Sequence, residues 1–235
     1  MYQGQQQCHK GHLYPAMTSS GNPANSANSH RSTYQYTNAV PQCGSFNTGQ
    51  WRIFEGRIRN YAVQTCIPAG GALYLITGSS FVAIQNTNPP QPVQVQITQF
   101  AGAIFKPGSM WTAGMCLFPG GLTQSFAVIG NNVPQPAAML TQETTQAQLE
   151  AILTFDVATN ALKRNRFGRR VYLFPGGGTP KPIKLPEDEY PPTDESKGKK
   201  TPPGSKSPKQ PSPKHPSPKA PSASKSKKPS RFGFG

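Results

Sequence analysis

Three stretches decide how this chain reads: Cys8-His-Lys-Gly-His-Leu-Tyr-Pro15, Tyr36-Thr-Asn-Ala-Val-Pro-Gln42 and Phe46-Asn-Thr-Gly-Gln-Trp-Arg-Ile-Phe-Glu55. In and after the third, Trp51, Phe54, Ile58 and Tyr61 recur at spacings of three and four, the period of one apolar helix face. A helix is therefore expected from Asn47 to about Gln64, with Asn47 or Thr48 as its cap. Arg52, Glu55 and Arg59 fall on a different face, with Glu55 and Arg59 one turn apart.

These residue types are suited to phosphodiester cleavage, which needs a base to activate water, a cation for the phosphorane charge and help for the leaving oxygen. His12 titrates near neutral pH and suits the base. The amide oxygen of Asn47 suits a hard cation such as Mg²⁺, which takes few protein ligands and keeps water and phosphate in its shell. Lys10 and Arg59 can each hold a phosphate oxygen, and Glu55 fits an outer carboxylate that orients water or Arg59. Taken singly, each has an ordinary explanation: a loop histidine, a helix cap, a solvated helical ion pair worth a few tenths of a kcal/mol.

Together the stretches resemble the DNA/RNA non-specific endonuclease family of the ββα-metal type. Its pattern is Asp-Arg-Gly-His, then Thr/Ser-Asn-x-x-Pro-Gln, then a helix with Asn-x-Gly-x-Trp-x-x-x-Glu. Lys10-Gly11-His12, Thr37 to Gln42 and Asn47 to Glu55 stand in those places, in order. Met110-Trp-Thr-Ala-Gly-Met-Cys116 and Ser125-Phe-Ala-Val-Ile-Gly-Asn131 further resemble the animal branch that includes endonuclease domain-containing 1 proteins. The resemblance implies an α+β fold with a mixed or antiparallel sheet, and catalysis by His12, Arg59 and Glu55. It also implies Mg²⁺ or Mn²⁺ on Asn47, with Lys10 and Asn38 at the substrate side. DNA and RNA would be cut with little sequence preference, leaving 5′-phosphate ends.

Two departures stand out. His9-Lys10 replaces the family's Asp-Arg, and lysine keeps the charge but loses the bidentate fork. Family members also carry several strands before the histidine motif, whereas His12 here closely follows Met1, which implies a chain shortened at its N-terminus.

The rest of the chain is read from composition and period. With 34% hydrophobic residues, 26 Pro and 23 Gly, the chain has a core confined to its first ~185 residues. A body over residues 1–180 and a disordered tail over 181–235 are expected. The tail carries Ser-Pro-Lys at Ser207, Ser212 and Ser217, and eleven of the 24 Lys and Arg lie from Lys197 onward, so it supplies most of the net charge of +15. That excess favours an anionic partner. Between Met1 and Gln142 the only acidic residue is Glu55.

Cys8, Cys43, Cys66 and Cys116 lie too far apart for a clustered zinc site and fit one or two disulfides of open connectivity. With the family, they suggest an extracellular protein. No apolar run approaches the ~18 residues of a membrane span. Residues 1–31 read as loop, and strands are expected at Thr33–Asn38, Ala72–Ser79, Phe81–Ile84, Val93–Phe100, Ser125–Gly130 and Arg169–Phe174. A second helix is expected over Gln142–Phe155. Two other function classes fit parts of the sequence: a catalytically impaired nucleic-acid binder derived from the nuclease fold, and a matrix protein whose basic tail holds acidic glycans. Nothing in residues 8–59 favours the second.

Overall fold

The computed structural model describes residues 8–15, 28, 30–102, 104–134, 140–160, 170–174 and 180–187. The Lys/Pro/Ser tract, with its Ser-Pro-Lys repeats, lies outside them. The architecture is α+β: a two-stranded ribbon leads into a helix, and that helix lies on one face of a larger sheet.

The ribbon pairs β1 (Cys8–His12) with β2 (Ala39–Cys43) antiparallel, with His12 opposite Ala39 and Cys8 opposite Cys43. Reading residues 1–31 as loop therefore misses a strand. The Leu13 amide donates to the Asn38 carbonyl at 2.9 Å, which sets the phase of the ladder. Pro41, opposite Lys10, then falls at a non-hydrogen-bonded position where a missing N–H costs nothing. Cys8 and Cys43 face each other as free thiols.

The chain then turns helical at Gly44–Phe46, earlier than the expected cap at Asn47. Asn47 is itself helical, at the start of a wide π turn, Asn47–Trp51, kinked at Gly49. The regular helix α1 (Arg52–Tyr61) follows and ends in a second π turn, Ala62–Cys66. Trp51, Ile58 and Tyr61 are buried and Phe54 packs against them, as the spacing requires.

The large sheet has the order β10 (Thr141–Thr144), β9 (Thr123–Asn131), β8 (Ser109–Leu117), β3 (Ala72–Ser80), all antiparallel. The short β11 (Lys181–Pro182) joins β9 in parallel, beside Gln124 and Ser125. Strand alternation divides the two faces. Met110, Cys116, Phe126 and Val128 pack toward α1, whereas Trp111, Ala113, Ala127 and Ile129 pack toward α2 (Gln146–Thr159) through Leu149, Ile152 and Leu153. Strands covered on both faces lose the apolar–polar alternation that marks a one-sided strand, which is why β8 is not evident in the sequence. Cys66 and Cys116 form a disulfide that fastens the end of α1's extension to β8.

Several expected elements differ. Thr33–Asn38 is a turn closing in a 3₁₀ turn (Tyr36–Asn38), because side chains satisfy the backbone locally: Thr33 Oγ1 donates to the His30 carbonyl at 2.7 Å. Val93–Phe100 is interrupted, giving β5 (Pro92–Gln94), paired with β4 (Val82–Ile84), and β6 (Thr98–Ala101), paired with β7 (Ile104–Lys106). The second helix starts later than expected, since Thr145 and Gln148 form a capping box and the preceding residues pair as β10. Residues 170–174 are not a strand, and Arg169 lies outside the described residues.

The residues after 180 are part of the packing. Leu185 is buried in the α1-side core. The buried Arg57 guanidinium, stacked on Phe54 at 4.8 Å, pairs with Glu143 and donates to the carbonyls of Leu185 and Pro186 at 2.7 Å each. Glu143 accepts from the Leu185 amide at 3.0 Å. The compact body runs to Asp194, with Glu195–Gly235 a separate unit. Arg57→Ala strands a largely buried carboxylate and two carbonyls, so urea unfolding should show a loss of about 3–5 kcal/mol. Part of that loss should be recovered in the Arg57→Met/Glu143→Gln double variant.

Candidate active site

His12 ends β1, Asn38 immediately precedes its partner strand, and Asn47, Glu55 and Arg59 follow on the helical segment. A strand pair followed directly by a helix thus carries these residues on consecutive elements, with Lys10 and His12 on one side of β1 and the His9–Asn47 contact on the other, and the ribbon is built on one contact. Gln42 is fully buried, and its side chain lies across Gly11, where a Cβ would come within 2.0 Å of the Gln42 Cδ. The glycine before the histidine therefore makes room for the glutamine of the second motif.

β2 is pinned from behind by Asn132, a residue that the sequence reading passed over. Asn132 Oδ1 accepts from the Cys43 amide at 2.7 Å, and its Nδ2 donates to the carbonyls of Pro41 (2.9 Å) and Pro107 (3.0 Å). The Ile-Gly-Asn131-Asn132 run at the end of β9 was its only sequence signal.

Asn38 acts on the other end. Its Oδ1 accepts from the Tyr14 amide at 2.8 Å, and its Nδ2 donates to the carbonyls of Tyr14 (3.0 Å) and Thr33 (2.9 Å). Both ends of the amide hold the backbone just beyond His12.

The His12 ring meets Tyr34 edge-on, with centroids 4.9 Å apart. Partial burial, and then the nearby His30, lower its pKa below the ordinary 6.5, so the neutral base prevails at pH 7. Lys10, two residues earlier on the strand, lies over the Tyr36 ring at 5.1 Å.

His9 stands where the family pattern has Asp, and the structure gives it a role that the sequence did not suggest. Its Nδ1 lies 3.4 Å from Asn47 Nδ2. With the proton on Nε2, His9 accepts from the amide and turns Asn47 Oδ1 the other way as a hard oxygen donor. The ring fits because residue 44 is glycine, where a Cβ would come within 2.8 Å of His9 Nε2. A single amide oxygen suits a hard divalent cation that keeps most of its shell for other ligands. Among the described residues no three His, Cys, Asp or Glu side chains cluster as a metal cage.

Glu55 lies one turn before Arg59 and shares a narrow cavity with Tyr14, Pro15, Ile58, Leu75, Thr77 and Thr112. Burial pushes its carboxyl up to about 8, only partly opposed by the Trp51 side chain and by Arg52. The buried Trp51 indole N–H lies near this carboxyl without reaching full hydrogen-bond geometry, and favours its charged form more than Arg52 does. The expected Glu55–Arg59 ion pair is not among the salt bridges of the described residues.

A histidine-bearing ribbon followed by an asparagine-bearing helix is the ββα-metal type of fold expected from the sequence. The sequence model for the DNA/RNA non-specific endonuclease family matches residues 1–162, and the chain belongs to that family. Among solved structures, one described as the EndoG/EndoGI complex, on the mechanism of EndoG inhibition, is similar at 14% identity and a TM-score of 0.46. That match covers 63% of this chain and 57% of the other, so this chain spans little more than half of it. No curated protein matches.

A raised carboxyl pKa stabilises the fold while the group is protonated in both states. That stability is lost as pH climbs from the unfolded value near 4.5 to about 8. Glu55→Gln should therefore raise the melting temperature at pH 8 by roughly 5 °C or more and leave it unchanged near pH 4, as differential scanning calorimetry would show. The lowered pKa of His12 should place the acid limb of kcat/KM below pH 6.5, and His30→Ala should move that limb upward.

Proposed function

We propose that this protein hydrolyses phosphodiester bonds in DNA and RNA with little sequence preference, leaving 5′-phosphate and 3′-hydroxyl ends. The observation that carries this reading is the His9–Asn47 contact, on the strand pair and helix that also present His12. In this reading His12, neutral at pH 7, takes the proton of the attacking water. Lys10 and Arg59 hold phosphate oxygens, and Lys10 does so as a point charge without a fork. Glu55, whose burial favours the neutral carboxyl and which forms no ion pair with Arg59 among the described residues, is assigned an outer hydrogen-bonding role beside the site.

Asn47 Oδ1 would hold Mg²⁺ or Mn²⁺. Bound there, the cation would supply positive charge against the phosphate and the leaving 3′ oxygen. Asn38 keeps the backbone beyond His12 in place through its bonds to Tyr14 and Thr33. The basic tract from Lys197 onward adds phosphate neutralisation that weakens with salt. An extracellular setting is supported by the Cys66–Cys116 disulfide, and membership of the animal branch by the stretches that form β8 and β9.

Purified protein with Mg²⁺ should degrade supercoiled plasmid and total RNA, and EDTA should stop it. His12→Ala should lower the rate by about 10²–10⁴-fold at unchanged gel-shift affinity. Intact substrates with a retained gel shift would overturn the enzyme in favour of the binding-only protein.

A further inference from the structure

Three tyrosines stand exposed around His12, and the cleavage chemistry uses none of their rings: Tyr14, Tyr34 at 62% and Tyr36 at 76% exposure. Single exposed aromatics are ordinary on protein surfaces. These, however, are tied to the site. The Tyr34 ring contacts His12 at 4.9 Å and its hydroxyl lies 3.5 Å from His30 Nε2. The Tyr36 ring carries the Lys10 ammonium at 5.1 Å.

The turn that bears them is fixed. Tyr36 opens the 3₁₀ turn that ends at Asn38, whose side chain holds Tyr14 and Thr33. Thr33, beside Tyr34, is buried and bonded to the His30 carbonyl. Rings mounted on a pinned turn lose little freedom when a ligand covers them.

The charged side chains on the segments that carry these rings have one sign. Arg31 and Lys10 are exposed here, and the only carboxylate between Met1 and Gln142 is Glu55, withdrawn into its cavity. Exposed aromatic faces beside cations take a ligand with alternating flat rings and anionic links. In a duplex the base faces are covered by their neighbours and only edges are presented. An unpaired nucleotide offers both a free face and a phosphate.

We propose that Tyr34 and Tyr36 form a stacking subsite for unpaired nucleobases, which makes single-stranded nucleic acid the favoured substrate. This rests on the nuclease reading above and names its substrate class. One base stacks on the open side of Tyr36 while its phosphate meets Lys10. Tyr34 then receives the neighbouring base, which brings the intervening phosphodiester toward His12.

The test is equilibrium binding of the full chain in EDTA, so that nothing is cut, by fluorescence anisotropy. Three labelled probes are compared: an oligothymidylate, an abasic oligomer of the same length, and a hairpin duplex. The abasic probe keeps the phosphates and removes the bases, so the basic tail contributes equally to both single strands. Wild type should bind the oligothymidylate about tenfold tighter than the abasic oligomer. Tyr36→Ala and Tyr34→Ala should each remove most of that difference without changing the abasic or duplex affinity, and Tyr36→Trp should retain it. Equal binding of the two single strands by wild type, or variants that weaken all three probes alike, would overturn the subsite. Plasmid and RNA cleavage with Mg²⁺, assayed in parallel, separates the two readings. Cleavage without base-dependent binding removes the subsite alone, and base-dependent binding without cleavage removes the nuclease alone.

Discussion

The packing of Gln42 across Gly11 is the constraint on which the site depends. Any side chain at residue 11 would occupy the volume that the glutamine fills, and the two strands could not approach in the register that sets His12 opposite Ala39. That register fixes which residues look toward the helix and which toward solvent, because a slip of one residue exchanges the two faces of a strand. His9 and Gly11 share one side of β1, toward Gly44, Asn47 and Gln42. Lys10 and His12 share the other, toward Tyr36 and Tyr34. The proposed base thus lies on one side of this strand, and the proposed cation ligand on the helical segment that meets its other side.

A ribbon of two strands is marginal on its own, and here it is held by neighbours far away in sequence. Asn132 binds the Cys43 amide and the Pro41 carbonyl across about ninety residues, replacing ladder bonds that these two do not make with β1, and also holds the Pro107 carbonyl. The helix is held in turn by the Cys66–Cys116 disulfide and by Arg57, which ties α1 to β10 and to the segment after residue 180. The buried cation is compensated by a carboxylate, two carbonyls and an aromatic face, the condition under which such a charge is tolerated in an interior.

The electrostatics of the site follow from the same packing. His12 is partly buried among rings and close to a second histidine, both of which favour its neutral form. Glu55 is driven toward its neutral form by burial rather than by an acidic neighbour. The surface around His12 is left with cations and exposed aromatic rings, a combination that suits a polyanion with flat bases.

The sequence by itself determined the local features. The three-and-four spacing of Trp51, Phe54, Ile58 and Tyr61 placed α1, and the motif order put His12, Asn38, Asn47, Glu55 and Arg59 on the successive elements of the ribbon and helix, because each of these signals lies within a short stretch of chain. Where long-range partners decide, the sequence was silent or misleading. Thr33–Asn38 alternates like a strand, yet its backbone groups are taken within the turn, the Thr33 carbonyl by the Asn38 side chain and the Gln35 carbonyl by the Asn38 amide. β8 is covered on both faces, so it lost the period that would have revealed it. His9 looked like a departure from a motif, and only the return of the chain at Gly44 and Asn47 brought its ring against the asparagine amide. Arg57, Asn132 and the choice of Cys66 with Cys116 were likewise settled by tertiary structure, since what a buried charge, amide or thiol meets depends on which distant segments pack against it.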